Sequence, residues 1–423
     1  MPTNGQVGVV ITGIGAVSPF GVGRECYWEH VRGGVSGSKA ITQFDVSSYP
    51  CRVAAWVPPV SMDDSPALDG DADEEGHADP RRYSRAALFG VIAAREAWRD
   101  AGLRAGEPNA AVLIGSGGGG IDVGEKQYED FFTSGGRHVT PYAIALGICG
   151  MVSSEISIAL RLRGFSHVLS CGCTSSTDAL GYAASLIRSG EYEAILSGGT
   201  DGCVLPGMIF GFSRMRAVST HYNDRPAEAS RPFDRGRDGF VLGEGAWMFA
   251  LEREDRAMAR GATRYARIEG YASTCDAYHR VQMDPDGVEI VRCIETALDR
   301  AHRRPEEIGY INYHGTSTQL NDAIESRCVR RVFGRLADSV PGSSTKSMIG
   351  HPQGASGAAG VAVTALALAR GVLPPTINLD DQDPACDMDF IPNTARPVEV
   401  DAALCNCLGF GSKNSALVLG RTK

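Results

Sequence analysis

The sequence has no apolar run approaching the about 20 residues that a membrane-spanning helix requires, so no membrane segment is expected. Its opening, MPTNGQVGVVITGIGAV, has no basic stretch and no cleavage site. No signal peptide is therefore expected, and the default is a soluble cytoplasmic protein. Positive charge is in deficit: the net charge is −9 over 423 residues. That balance argues against non-specific nucleic-acid binding. The glycine loop GSGGGG (115–120) lacks the Walker lysine and also lacks the G-x-G-x-x-G-then-acid order of dinucleotide sites. It reads as a flexible turn beside an active site. A disulfide framework is not expected either, because the 12 cysteines are scattered through a long chain without a secretory signal.

What is present is a chain built for a large core. Hydrophobic residues make up 43% of it, and 52 glycines imply many tight turns and close backbone contacts. The length suits one large domain or two fused halves. Residues 7–19 read as a buried strand, 84–103 as an amphipathic helix stopped by glycine, and 109–114 as a strand entering the glycine loop. A second half begins near 266–274, read as a strand. It continues with a helix over 288–303, a strand over 308–315 and a helix over 321–333. Alternating strands and helices predict a layered α/β fold. ALGYAASLIRSG (179–190) and GVAVTALALARG (360–371) echo one another as small-residue helices closed by Arg and Gly. The echo suggests two related halves placed face to face. The acidic stretch 63–80 reads as a solvated loop, because its order does not follow a calcium loop.

Two C-x-C pairs, Cys171/Cys173 and Cys405/Cys407, invite a zinc reading. Structural zinc sites favour C-x2–4-C, and positions i and i+2 of any strand share a face, so no metal is assigned. The segment SHVLSCGC reads as a strand and TSSTDALGYAASLIRSG as a helix. That places Cys173 at a helix N-terminus, where unpaired N–H groups and the helix dipole favour a thiolate. Cys171 falls within the strand reading and is expected to be inert. Gly172 permits a sharp turn, and the small residues 174–177 leave room for a substrate. His314 and His351 each follow a strand and are flanked by Gly with Thr or Ser. Helix N-termini near His351 would disfavour imidazolium and hold a neutral donor. Lys346 precedes His351 by one turn-like segment and could orient it or supply charge. For each of these residues the ordinary alternative is structural: a buried cysteine, a core histidine, a solvated lysine.

Seven segments in order carry a resemblance that extends over nearly the whole chain: VVITGIGAVSPFG, GCTSSTDALG, SRPFDRGRDGFVLGEGA, YINYHGTSTQLND, SSTKSMIGH, LPPTINLDD and LGFGSKNSALVL. Together they resemble the elongating β-ketoacyl-acyl-carrier-protein synthases of the thiolase superfamily, including the ketosynthases of dissociated polyketide systems. The resemblance implies an α/β, thiolase-like layered αβαβα fold. Its N-terminal half (1–262) carries the nucleophile and its C-terminal half (263–423) the two histidines. It implies a Cys173–His314–His351 set supported by Lys346, with Glu325 as a structural acid behind the histidines. Phe410, in the G-F-G loop, would pair its backbone N–H with that of Cys173 as an oxyanion hole. Thr316 and Thr318 would meet the phosphopantetheine arm.

The implied activity is that of an acyltransferase: decarboxylative Claisen condensation of a Cys-bound acyl chain with a malonyl group on acyl carrier protein. The enzyme itself would bind no metal or organic cofactor. The alternatives from other classes are a non-catalytic chain-length-factor partner, which would lack the nucleophile, and a thiolase, which would use a second cysteine near Cys405 and Cys407. Expected partners are acyl carrier protein and either a second copy or a chain-length-factor-like subunit. Arg81, Arg82 and Arg85 match in position a basic docking cluster, to which Arg214 and Arg216 add. Three departures bear on the substrate rather than the reaction. Ser412 and Lys413 replace a G-T pair in the family's G-F-G-G-T-N loop, Gly172 replaces the usual alanine, and Cys171 stands where threonine is frequent. These lean the reading towards a polyketide or specialised acyl chain. GMIFGFSRM (207–215) is expected near the pocket or its entrance.

Overall fold

The computed structural model describes residues 7–70 and 83–422. Ten strands form the spine of one large sheet: β1 (Val9–Ser18), β2 (Ala110–Gly115), β3 (Ser166–Leu169), β4 (Ala194–Asp201), β5 (Gly245–Arg253), β6 (Ala266–Cys275), β7 (Tyr310–Asn312), β8 (Gly342–Ser343), β9 (Ala402–Gly409) and β10 (Lys413–Gly420). Their order is β8-β7-β9-β10-β6-β1-β5-β4-β2-β3. Read outward from the centre, each side runs first, fifth, fourth, second, third strand of its half. Each side also has two antiparallel pairings followed by two parallel ones. The halves meet where β1 pairs with β6. The chain is thus the same α/β unit twice, as the helix echo suggested.

Seven helices complete the layers: α1 (Arg85–Asp100), α2 (Met151–Leu160), α3 (Ser175–Arg188), α4 (Pro206–Arg214), α5 (Val288–Ala301), α6 (Gln319–Phe333) and α7 (Ser356–Arg370). Strand periodicity assigns the faces. In β5, Trp247, Phe249 and Leu251 point into a central core with α3 and α7, while Ala246, Met248 and Ala250 face α1 and α2. In β10, Leu417 and Leu419 join the central core, while Ala416 and Val418 face α5 and α6. The result is helix, sheet, helix, sheet, helix. The two echoing segments are α3 and α7, the shared middle layer. They are small-residue helices because sheet covers them on both faces. A Cβ at Gly357 would lie 1.9 Å from Thr177 Oγ1, so glycine lets α7 touch α3. The outer helices show the same device twice. A Cβ at Gly13 would sit 2.0 Å from Ala97 O, and one at Gly270 would sit 2.2 Å from Ala297 O.

Sequence-read boundaries shift in two places. The strand ends at Leu169, so Cys171 lies in the turn beyond it, half-buried, with its N–H donated to Ser175 Oγ at 2.8 Å. The strand read over 308–315 is Tyr310–Asn312, because the chain breaks off to present His314. No helix among the described residues is long and apolar enough to cross a membrane.

Candidate active site

The site lies where the carboxyl ends of β3, β7, β8 and β9 converge between the halves. β3 leads through Gly172, at φ +74°, to Cys173, and α3 starts at Ser175. Cys173 is 4% exposed. β7 leads to His314, whose backbone N–H donates to Glu325 Oε1 at 2.7 Å. Gly315 N–H donates to the other Glu325 oxygen at 2.8 Å, so one carboxylate on α6 fixes the turn that presents the imidazole. His351 follows β8 and is held as an isolated bridge. Its N–H donates to Val241 O at 2.7 Å, and its carbonyl accepts from Gly243 N–H at 3.0 Å.

These placements bring the three side chains together. His351 Nε2 lies 3.1 Å from Cys173 Sγ, and the two imidazole rings meet edge to face at 5.3 Å and 88°. One donor atom from each of Cys173, His314 and His351 lies within 4.8 Å of the others. Among the described residues no other group of His, Cys, Asp and Glu has metal-ligand spacing, the C-x-C pairs included. Cys405 Sγ instead donates to Thr364 Oγ1 at 3.2 Å, and Cys407 Sγ donates to the Cys173 carbonyl at 3.1 Å.

Electrostatics correct one expectation. Burial pushes the Cys173 thiol up to about 11, although the Phe410 backbone N–H and the Lys346 charge pull it down. The resting nucleophile is therefore a thiol and not the thiolate expected at a helix N-terminus. The helix end favours the anion, but full desolvation outweighs it. Both imidazoles are held well below the ordinary histidine range, first by burial and then by the Lys346 charge. His351 is thus a neutral base in contact with a thiol. Among the described residues neither Nδ1 has a partner, so no hydrogen bond there fixes the tautomer.

Lys346 opens a short helix, is 6% exposed, and burial lowers its pKa; its charge acts on Cys407, Glu325 and Cys173. Burial raises Glu325 to about 7 against the pull of its two backbone donors. Thr316 and Thr318 bring their hydroxyls to 3.0 Å of each other, and Thr318 also caps α6 by accepting from Asn321 N–H. The G-F-G loop approaches closely: a Cβ at Gly409 would lie 3.3 Å from Cys173 N. Ser412 takes φ +63°, and its Oγ accepts from Tyr278 N–H and His279 N–H while donating to His279 O. The GMIFGFSRM segment forms α4 and its end, and Phe212 packs against Phe240 and Phe410 at 5.2 and 6.5 Å. Phe240 in turn meets the His351 ring edge on, at 5.3 Å.

The arginines separate. Arg214 and Arg216 are exposed at the end of α4. Arg85 points inward, its guanidinium bound to the fully buried Glu244 and to Val57 O. The side chain keeps 31% of its surface exposed, with its charge offset by Glu244. Arg81 and Arg82 lie outside the described residues, as does most of the acidic stretch. Sequence reasoning missed Asp201, at the end of β4, which gathers backbone donors from both halves. Its signal was an acid closing an apolar strand just before a glycine, in SGGTDG.

Comparison with known proteins agrees with this geometry. Residues 7–257 match the family model for the β-ketoacyl synthase N-terminal domain, and residues 265–380 match that for its C-terminal domain. The chain is 42% identical over 416 residues to 3-oxoacyl-[acyl-carrier-protein] synthase 2 of Coxiella burnetii, covering 98% of each chain. The ishigamide ketosynthase/chain length factor superposes with a TM-score of 0.90 at 33% identity, over 99% of this chain and 100% of that one. A type II polyketide ketosynthase, solved with its acyl-carrier protein and bound to the hexaketide, gives 0.88 at 29% identity, over 99% and 100%. With matching family models over both halves of a chain that carries a Cys–His–His centre, the protein belongs to the β-ketoacyl synthase family of condensing acyltransferases.

Proposed function

We propose that the protein extends an acyl chain held on Cys173 by decarboxylative condensation with a malonyl thioester carried on acyl carrier protein. The observation that supports this most directly is the 3.1 Å contact between His351 Nε2 and Cys173 Sγ, with His314 beside both. In the first half-reaction the Cys173 proton passes to neutral His351. The sulfur attacks the acyl thioester, the bond to the carrier's thiol breaks, and that thiolate takes up the proton. The backbone N–H groups of Cys173 and Phe410 both act on the sulfur, which supports their holding the developing oxyanion.

In the second half-reaction the malonyl carboxylate leaves as CO2 and its bonding electrons form an enolate. Two neutral imidazoles with N–H turned to the pocket stabilise the enolate oxygen, His351 having moved its proton from Nδ1 to the Nε2 that served as acceptor in the first half-reaction. The enolate carbon then attacks the Cys173 thioester, a C–C bond forms, and the sulfur leaves as a thiolate that takes up one proton from solvent, the proton the net condensation consumes. In this reading the paired hydroxyls of Thr316 and Thr318 meet the phosphopantetheine arm.

A chain-length-factor role is disfavoured by the intact nucleophile and histidine pair. A thiolase role is disfavoured by Cys407, whose thiol is tied to the Cys173 carbonyl. Arg214 and Arg216 are proposed to receive the acidic carrier. The partner subunit is a second copy or a chain-length-factor-like chain, because β3 is an open sheet edge with Phe131, Phe132, Ile144, Ile148 and Ile158 exposed on the same half. Incubation with malonyl and acyl carrier proteins, followed by mass spectrometry, tests the function. An acyl adduct on Cys173 and a product longer by two carbons support it, and condensation that survives Cys173→Ala overturns it.

A further inference from the structure

Asp201 closes β4 in the N-terminal half and is completely buried. Four donors converge on its carboxylate. Ser116 Oγ donates to Oδ1 at 2.9 Å, Gly118 N–H to Oδ1 at 2.8 Å, Gly117 N–H to Oδ2 at 2.9 Å, and Gly354 N–H to Oδ2 at 2.6 Å. Three of them belong to the glycine loop after β2. The fourth comes from the C-terminal half, three residues after His351. The loops are in backbone contact, since a Cβ at Gly354 would lie 2.3 Å from Gly117 N. The Cys203 thiol lies 3.7 Å from Oδ1.

His351 is thereby anchored twice. Its own backbone N–H and C=O are bridged to Val241 and Gly243, and downstream the Asp201 carboxylate holds Gly354. Between the anchors Gln353 is forced to φ +46°, a conformation that persists only where its surroundings over-determine it. Releasing Gly354 would let that turn relax and carry the imidazole with it.

We infer that Asp201 is a positioning residue, which clamps the His351 loop to the opposite half's glycine loop and so holds the imidazole where decarboxylation needs it. The inference rests on the proposed function. Decarboxylation is the sensitive step, because two rings must converge on one enolate oxygen. Acylation asks His351 only to accept a proton from the sulfur it already contacts at 3.1 Å, and then relies on the oxyanion N–H groups of Cys173 and Phe410, so it is the less sensitive step.

The test is Asp201→Asn in the full chain, with the half-reactions measured separately. Decarboxylation of malonyl carrier protein should fall by about tenfold or more, Cys173 acylation should fall by a smaller factor, and the KM for the malonyl carrier should stay within about threefold of wild type. Ser116→Ala, which removes a donor on the glycine-loop side only, should leave both half-reactions within about threefold. Hydrogen exchange gives a readout independent of activity. Wild-type amides at 117, 118 and 354 should be protected, and Asp201→Asn should release them together. Unchanged decarboxylation in Asp201→Asn, or equal loss in both half-reactions, overturns the inference. If that variant does not fold, fast exchange at Gly354 or at the glycine loop in wild type overturns it instead. A wild-type chain inert in both half-reactions would sink the proposed function while leaving the exchange result to judge the clamp.

Discussion

His351 Nε2 and Cys173 Sγ lie 3.1 Å apart, a neutral imidazole against a protonated thiol, both buried. The pair stores no charge at rest. The nucleophile is made by proton transfer when a thioester arrives.

That arrangement has a signature in alkylation. With the thiol at about 11, iodoacetamide labelling of Cys173 should rise about tenfold per pH unit from pH 7 to 9, without the plateau of a resting thiolate. A labelling rate that is flat above pH 7 would show that the ion pair already exists.

The histidines should separate the half-reactions. His314→Ala and His351→Ala are each expected to lower malonyl decarboxylation by about 10²–10³-fold, the usual loss of a transition-state donor. Acyl transfer to Cys173 should fall much less in His314→Ala. Radiolabelled acyl transfer and CO2 release, measured on the same preparations, check this.

Lys346 depresses both imidazoles through its charge. Lys346→Met should therefore let them protonate at a higher pH. The acid limb of the pH–rate profile would move upward, with activity at pH 6 falling more than at pH 8. An unmoved acid limb would remove the electrostatic role.

The same buried imidazoles link stability to pH. The unfolded chain protonates them near 6.5 and the folded chain does not, so their contribution is lost as pH falls below about 6.5. Glu325, raised to about 7, works in the opposite sense: its contribution is full below about 4.5 and is lost as pH rises towards 7. Replacing both histidines by Asn should flatten the acid side of a Tm-against-pH curve, and Glu325→Gln should steepen it.

The arginines should divide by role. Arg214→Glu with Arg216→Glu should raise the KM for carrier protein in a salt-dependent way and leave kcat near wild type. Arg85→Ala should instead cost about 3 kcal/mol of stability, because it leaves Glu244 buried without its cation. Denaturant unfolding and carrier titration distinguish the two.

By itself the sequence carried the chemistry that short stretches encode. Gly172 before Cys173, and the small residues after it, mark a turn into a helix. The 179–190 and 360–371 echo showed two helices of one kind, because a helix covered on both faces can carry only small or apolar residues. Motif order supplied the family and the candidates Cys173, His314, His351, Lys346 and Phe410.

Only the tertiary structure decided what depends on distance and burial. Cys173, His314 and His351 come from different strand ends, and their convergence exists only after the halves pair. The protonation state of Cys173 reversed because desolvation is a property of the finished core and not of a helix end. Arg85 looked like a surface cation until Glu244, 159 residues away, proved to be its partner. Asp201 offered only an acid at the end of an apolar strand, since three of its four donors are backbone N–H groups, which every residue but proline carries and which acquire meaning only in place.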